Sequence, residues 1–187
     1  MIYVDQPTMY IPAEGQRSML ELARAALCLG CPEGVGPGDP AAAPPVYEVW
    51  AVLGTIDAPI VASLRLPDIG PLGGAGGQAP HQLNDETPPD YCLGMIEGPD
   101  LGVDALWRLV IDQQVWNFGV GSDPQVLYGW AIAIVEAGGN VLIDGRILAY
   151  GRFSAPPVSV IPGDAVKLTA EIIPCLCLPP AIPEVPE

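Results

Sequence analysis

The residues of this 187-residue chain whose types could do chemistry are five cysteines and a single histidine. Cys28-Leu29-Gly30-Cys31 has the spacing of half a zinc or redox site, and Cys175-Leu176-Cys177 supplies a second pair. Zinc takes four thiolate or imidazole ligands in a tetrahedron, so a centre would require Cys28, Cys31, Cys175 and Cys177 to converge. Spacing alone does not bring them together, and Cys28 also continues the apolar stripe of a helix, where packing explains it without metal. His81 lies in HQLNDETPPD with Asp85, Glu86 and Asp90. Calcium accepts oxygen ligands alone, but this spacing matches no calcium loop, and an acidic run is ordinarily a solvated face. His81 could activate the hydroxyl of Ser63 or Ser122, yet neither serine sits in a nucleophile elbow. The glycines of GPLGGAGGQAP lack the strand-to-helix context and the following Lys-Ser or Lys-Thr of a phosphate loop. No catalytic residue, metal or cofactor is therefore expected.

The elements that would position these residues are mostly strands. Leu127–Val135 alternates Tyr128, Trp130, Ile132 and Ile134 with Gly129, Ala131 and Ala133. That pattern predicts a strand covered on both faces, bulky on one and closely approached on the other. Ala137-Gly138-Gly139-Asn140 reads as a reversal, followed by strands at Val141–Ile143 and Arg146–Phe153. Pro162-Gly163-Asp164 is a second turn, and Val166–Ile172 alternates apolar with Lys167, Thr169 and Glu171, the period of a strand with one wet face. Further strand candidates are Val46–Leu53, Ile60–Leu66 and Leu106–Phe118. Trp50, Trp107, Trp116 and Trp130 all fall in such strands, and read as core or interface anchors rather than a sugar-binding platform. Arg17–Leu29 is the one amphipathic helix, with Met19, Leu20, Ala23, Ala26 and Leu27 on one stripe and Gly30 and Pro32 as its stop.

Short strands, frequent turns and one early helix predict a mainly β chain: an antiparallel sandwich or barrel, jelly-roll-like, rather than a βαβ fold. Residues 1–16 read as an N-terminal arm. Residues 17–178 form one domain with its helix at 17–30 and a Gly/Pro-rich loop at 67–90, and 179–187 is a proline-rich arm. The loop is poor in bulky side chains; ordering on a neighbour and plain disorder are both open for it.

Composition narrows the partners. Twenty-two acidic residues against seven basic ones give a net charge of −15, which excludes the basic patch that phosphate backbones require and disfavours an anionic membrane. Only 16% of residues are charged, against roughly 25% in soluble domains, which fits a surface covered by neighbours. No stretch approaches the apolar length of a membrane span. Met1–Tyr10 carries Asp5 and does not read as a signal peptide. The odd cysteine count argues against a secreted disulfide framework.

Tyr128-Gly129-Trp130, Gly138-Gly139, Arg152-Phe153 with Pro156, Gly163-Asp164 and the final alternating strand carry a family likeness. So does Ile11-Pro12-Ala13-Glu14-Gly15 ahead of a helix. On these residues the chain resembles a family of small virion proteins encoded by tailed phages, many known from environmental sequence. The resemblance covers about half of the chain and departs from the family in the Cys31–Pro45 and Pro67–Asp90 insertions and in the cysteines. It implies a non-enzymatic structural component of the particle, assembled in the host cytoplasm. The expectation is a capsid decoration (cement) protein, homo-oligomeric, contacting the major capsid protein or other virion proteins and neither nucleic acid nor membrane. A tail- or neck-associated protein, or a stand-alone cation- or sugar-binding sandwich, are the alternatives.

Overall fold

The computed structural model describes residues 2–3, 9–18, 47–73, 78–84, 89–98, 103–153 and 157–172. In chain order the strands are β1 (Ile2–Tyr3), β2 (Met9–Tyr10), β3 (Tyr47–Gly54), β4 (His81–Leu83), β5 (Tyr91–Gly98) and β6 (Val103–Asn117), then β7 (Gln125–Leu127), β8 (Gly129–Glu136), β9 (Arg146–Arg152), β10 (Val158–Val160) and β11 (Ala165–Ile172). A helix, α1, spans 13–18, and a four-residue helix, α2, spans Val141–Asp144. One sheet has the order β1-β11-β6-β5 and the other β2-β9-β8-β3-β4, with β7 and β10 paired beside them. All pairings are antiparallel except β1 on β11. The chain is mainly β, and its two sheets face one another as a sandwich.

The core explains why. Leu109, Ile111, Trp116, Val166, Leu168 and Ile172 of the first sheet meet Val49, Leu53, Trp130, Ile132, Ile134 and Leu148 of the second in one buried cluster. Each such aliphatic side chain contributes about 1.5–3 kcal/mol on leaving water. β11 carries the expected alternation, with Val166, Leu168, Ala170 and Ile172 buried and the residues between them facing out. β8 is buried on both faces. Its bulky set joins the central core, while Ala131, Ala133 and Val135 join a second cluster with Val52, Ile147 and Tyr150. That second cluster is roofed by Leu64, Leu66 and Ile69 of the β3–β4 connection and by Val141 of α2. The Pro162-Gly163-Asp164 turn forms as its sequence predicts, with Gly163 at φ +96°, where a side chain would be strained.

Several expectations need correction. Val141–Ile143 is helical, because the Asn140 side chain accepts a hydrogen bond from the Leu142 N–H at 3.0 Å and caps a helical turn instead of feeding a strand. Ile60–Leu66 forms no strand. Its Leu64 N–H turns back onto the Val61 carbonyl, and Leu64 and Leu66 cover the sheet rather than extend it. The segment 67–90 is not simply a loop: Leu66–Ile69 makes a 3-10 turn and His81–Leu83 pairs with β3, opposite Ala51 to Val49. β5 adds a strand, Tyr91–Gly98, beyond those the sequence pattern predicts. The N-terminal residues are not a free arm where described, since β1 pairs with β11 and β2 with β9. Helix α1 starts at 13, four residues before the expected Arg17; the stripe from Met19 onward, the 31–45 segment and the 179–187 tail lie outside the described residues.

Candidate functional site

His81 is drawn into the sandwich by a change of phase on the opposite sheet. Along β6, Leu109 and Ile111 point inward, and strict alternation would turn Trp116 outward. The pairing with β11 instead slips between Leu168↔Gln114 and Ala170↔Ile111, so β6 holds one extra residue there. This β-bulge reverses the phase and sends Gln114, Trp116 and Phe118 inward. Trp116, fully buried, then stacks on the His81 imidazole of β4, with ring centroids 4.5 Å apart and planes 17° from parallel. Its indole N–H donates to the Ala79 carbonyl at 3.2 Å.

The connection from β4 to β5 is closed at its base by Asn84 and Asp90. The Asn84 side-chain amide donates to the Asp90 carboxylate at 2.6 Å, its backbone N–H donates to the same oxygen at 3.2 Å, and the Asp90 N–H returns a bond to the Asn84 carbonyl at 2.7 Å. Asp85 and Glu86, inside that loop, lie outside the described residues. Burial holds the His81 imidazole below the usual histidine range, while a hydrogen bond with Gln114 and the Asp90 carboxylate pull it upward. The neutral ring is thus favoured on folding. Stability from this site is present above about pH 6.5, the ordinary histidine value, and is lost as pH falls below it toward the lowered folded value. The stability gap between the native chain and His81→Phe should therefore narrow between about pH 7.5 and about pH 5 in denaturant titrations. A gap independent of pH would show that the imidazole does not titrate in this way.

This geometry joins two sheets. Ser63 shares a cleft with Arg146 of β9, a strand three spacings, about 14 Å, from the β4 strand that carries His81. Ser122 closes the turn after β6, its N–H bonded to the Gly119 carbonyl. Among the described residues no group of three or more His, Cys, Asp and Glu is placed to hold a metal ion. Cys28, Cys31, Cys175 and Cys177 lie outside the described residues, and the remaining cysteine, Cys92, is an exposed thiol on β5.

The tryptophans divide. Trp116 and Trp130 are wholly committed to the chain's own core, so an interface role does not apply to them. Trp50 is half-buried against the second cluster, its indole nitrogen without a hydrogen-bond partner. Trp107 pairs in register with Met95, and its side chain is outside the described residues.

Surfaces suited to contact lie elsewhere. On the outer face of the first sheet, Cys92, Val110 and Glu171 form one cross-strand row, flanked by an exposed Arg108–Glu171 ion pair at 3.6 Å and part of a shallow groove of about 480 Å³. At one end of the sandwich, the 118–122 and 161–164 turns are tied together by Phe118 N–H to Asp164 O and Gly163 N–H to Phe118 O. They hold out Val120, 93% exposed, and Ile161, 58% exposed. No family model matches the chain, and neither a curated protein nor a solved structure is significantly similar to it.

The sequence left Gln114 and the Asn84–Asp90 clasp unnoticed. The polar pair Asp112-Gln113, interrupting an apolar alternation, is the signal that could have revealed the bulge.

Proposed function

We propose that this chain is a non-enzymatic structural protein of a tailed-phage particle, most specifically a decoration protein that stabilises the capsid shell through subunit contacts. The observation that carries the reading is the exposure of two aliphatic side chains, Val120 and Ile161, on turns that are hydrogen-bonded to each other at one end of the sandwich. Apolar side chains held out on mutually bonded turns suit a protein contact. The family resemblance of the Tyr128–Ile172 region and the acidic balance support the same reading, the latter by keeping the chain off packaged DNA.

Mass spectrometry of gradient-purified particles, separated into heads and tails, tests it. The expected result is this chain in the head fraction at a copy number comparable to capsid subunits. Recovery only with tails would support the tail- or neck-associated alternative, and absence from particles would overturn the virion reading in favour of a stand-alone module. Replacing both rim residues, Val120→Asp with Ile161→Asp, should leave the denaturant midpoint nearly unchanged, since exposed substitutions typically stay within about 0.5 kcal/mol. Capsid co-sedimentation should nevertheless fall about tenfold or more, the scale of losing a contact anchor.

A further inference from the structure

We infer that β5 is a self-association edge: two copies of this chain pair their β5 strands antiparallel about a two-fold axis at Gly94, joining the first sheet of each into one continuous sheet. β5 is the outermost strand of its sheet and is bonded to β6 on one side; among the described residues no strand lies on its other side. The direction of its outward groups follows from the ladder. The Asp112 N–H donates to the Asp90 carbonyl at 2.8 Å, and Tyr91, Leu93 and Met95 lie opposite Ile111, Leu109 and Trp107. Hydrogen-bonded positions alternate in an antiparallel pair, so Cys92 and Gly94 turn their N–H and C=O toward β6 while Leu93 and Met95 turn theirs away from it. At the start of the edge the Tyr91 N–H is taken by the Asn84 carbonyl at 3.4 Å. The open part therefore begins at Leu93.

Sheet edges are ordinarily blunted by shortness, charge or proline. β1 and β2 are two residues long and β4 three, whereas β5 runs for eight. From Tyr91 to Ile96 it contains neither proline nor charge, and Glu97 is its one charged residue. With a net charge of −15, copies of the chain repel one another, and an uncharged edge is where that repulsion opposes contact least.

Gly94 sets the register. A glycine inside a strand commonly marks a bulge or the close approach of another backbone, and the irregularity of β5 falls after Ile96 rather than at Gly94. With the axis at Gly94, the two glycines face each other as a non-hydrogen-bonded pair, their Cα atoms about 4.5 Å apart. Leu93 then exchanges N–H and C=O bonds with Met95 of the second copy, and Met95 with its Leu93. Strand addition of this kind draws its affinity from main-chain bonds, and an isologous contact closes at two copies.

The rim at Val120 and Ile161 takes no part, so this inference and the capsid reading stand or fall separately. Sedimentation equilibrium of the full chain tests it. The expected result is reversible exchange between the 19.5 kDa monomer and a dimer at about 1–100 µM. Gly94→Glu places a carboxylate beside Arg108, its cross-strand neighbour in the same chain, but opposes it to a second carboxylate across the axis. The variant should keep its denaturant midpoint and lose about tenfold or more in dimer affinity. Met95→Pro removes an N–H that β6 does not use, a change tolerated on an edge strand, and should also weaken pairing about tenfold or more because the axis doubles the loss. Gly94→Glu reads dimerisation even where Met95→Pro folds poorly. Val120→Asp with Ile161→Asp should leave the dimer unchanged. A monomer throughout that range, an assembly larger than a dimer, or a dimer indifferent to Gly94→Glu would overturn the inference.

Discussion

Trp116→Ala should cost about 3–5 kcal/mol of folding stability, read as a shift of the guanidinium midpoint. The indole is fully buried at the meeting of the two sheets, so truncation opens a cavity whose walls come from both layers. It also removes the face on which His81 lies and strands the Ala79 carbonyl that the indole N–H now serves. Trp116→Phe keeps a ring but loses that N–H, and should cost distinctly less than the alanine variant. A double-mutant cycle with His81→Ala should return a coupling of about 0.5–1.5 kcal/mol, the range for stacked aromatic pairs. A loss below about 1 kcal/mol for Trp116→Ala would mean that the bulge does not turn this residue into the core as described.

Gly15→Ala is the second large effect, and it acts on architecture rather than on the central core. The added methyl would occupy space held by the Leu148 carbonyl of β9, a backbone atom that cannot rotate aside. Overpacking of this kind costs about 1–3 kcal/mol, and relief comes most easily by lifting α1 from the strand. The variant should therefore lose stability, read as a lowered denaturant midpoint. Gly119→Ala is the matched control: a Cβ there meets nothing within 4 Å, so its midpoint should hold within about 0.5 kcal/mol. If both glycine variants behave alike in denaturant titration, the close approach of α1 to β9 is not what fixes Gly15.

The strands that dominate the core were legible because a single local rule decides them. β8 alternates large with small residues and β11 alternates apolar with polar ones, and in each case the buried face follows from side-chain period alone. The misreadings arise where a non-local fact overrides that rule. On β6 the bulge opposite Leu168 and Ala170 reverses which residues point inward, so Trp116 reaches His81 only through a slip in pairing. Ile60–Leu66 has strand composition, yet finds its burial as a roof over β8. At Val141 a cap from Asn140 decides the backbone within two residues, too short a span for periodicity to speak. The cysteine pairs remain outside the described residues, and His81, which carried most of the chemical interest, is a wedge between layers.

The parallel contact of β1 with β11 has a consequence for how the molecule comes to exist. Ile2 and Tyr3 lie beside Val166 and Lys167, so β1 must wait for β11, far along the chain, before this edge of the sheet can close. Pairings that distant fold slowly, because loop closure precedes any reward from contact. The second sheet, whose β3, β4, β8 and β9 pair among themselves, can assemble while synthesis continues; the first cannot. A nascent chain stalled before residue 165 would carry one finished sheet and an uncovered apolar face, a state exposed to aggregation until β11 arrives.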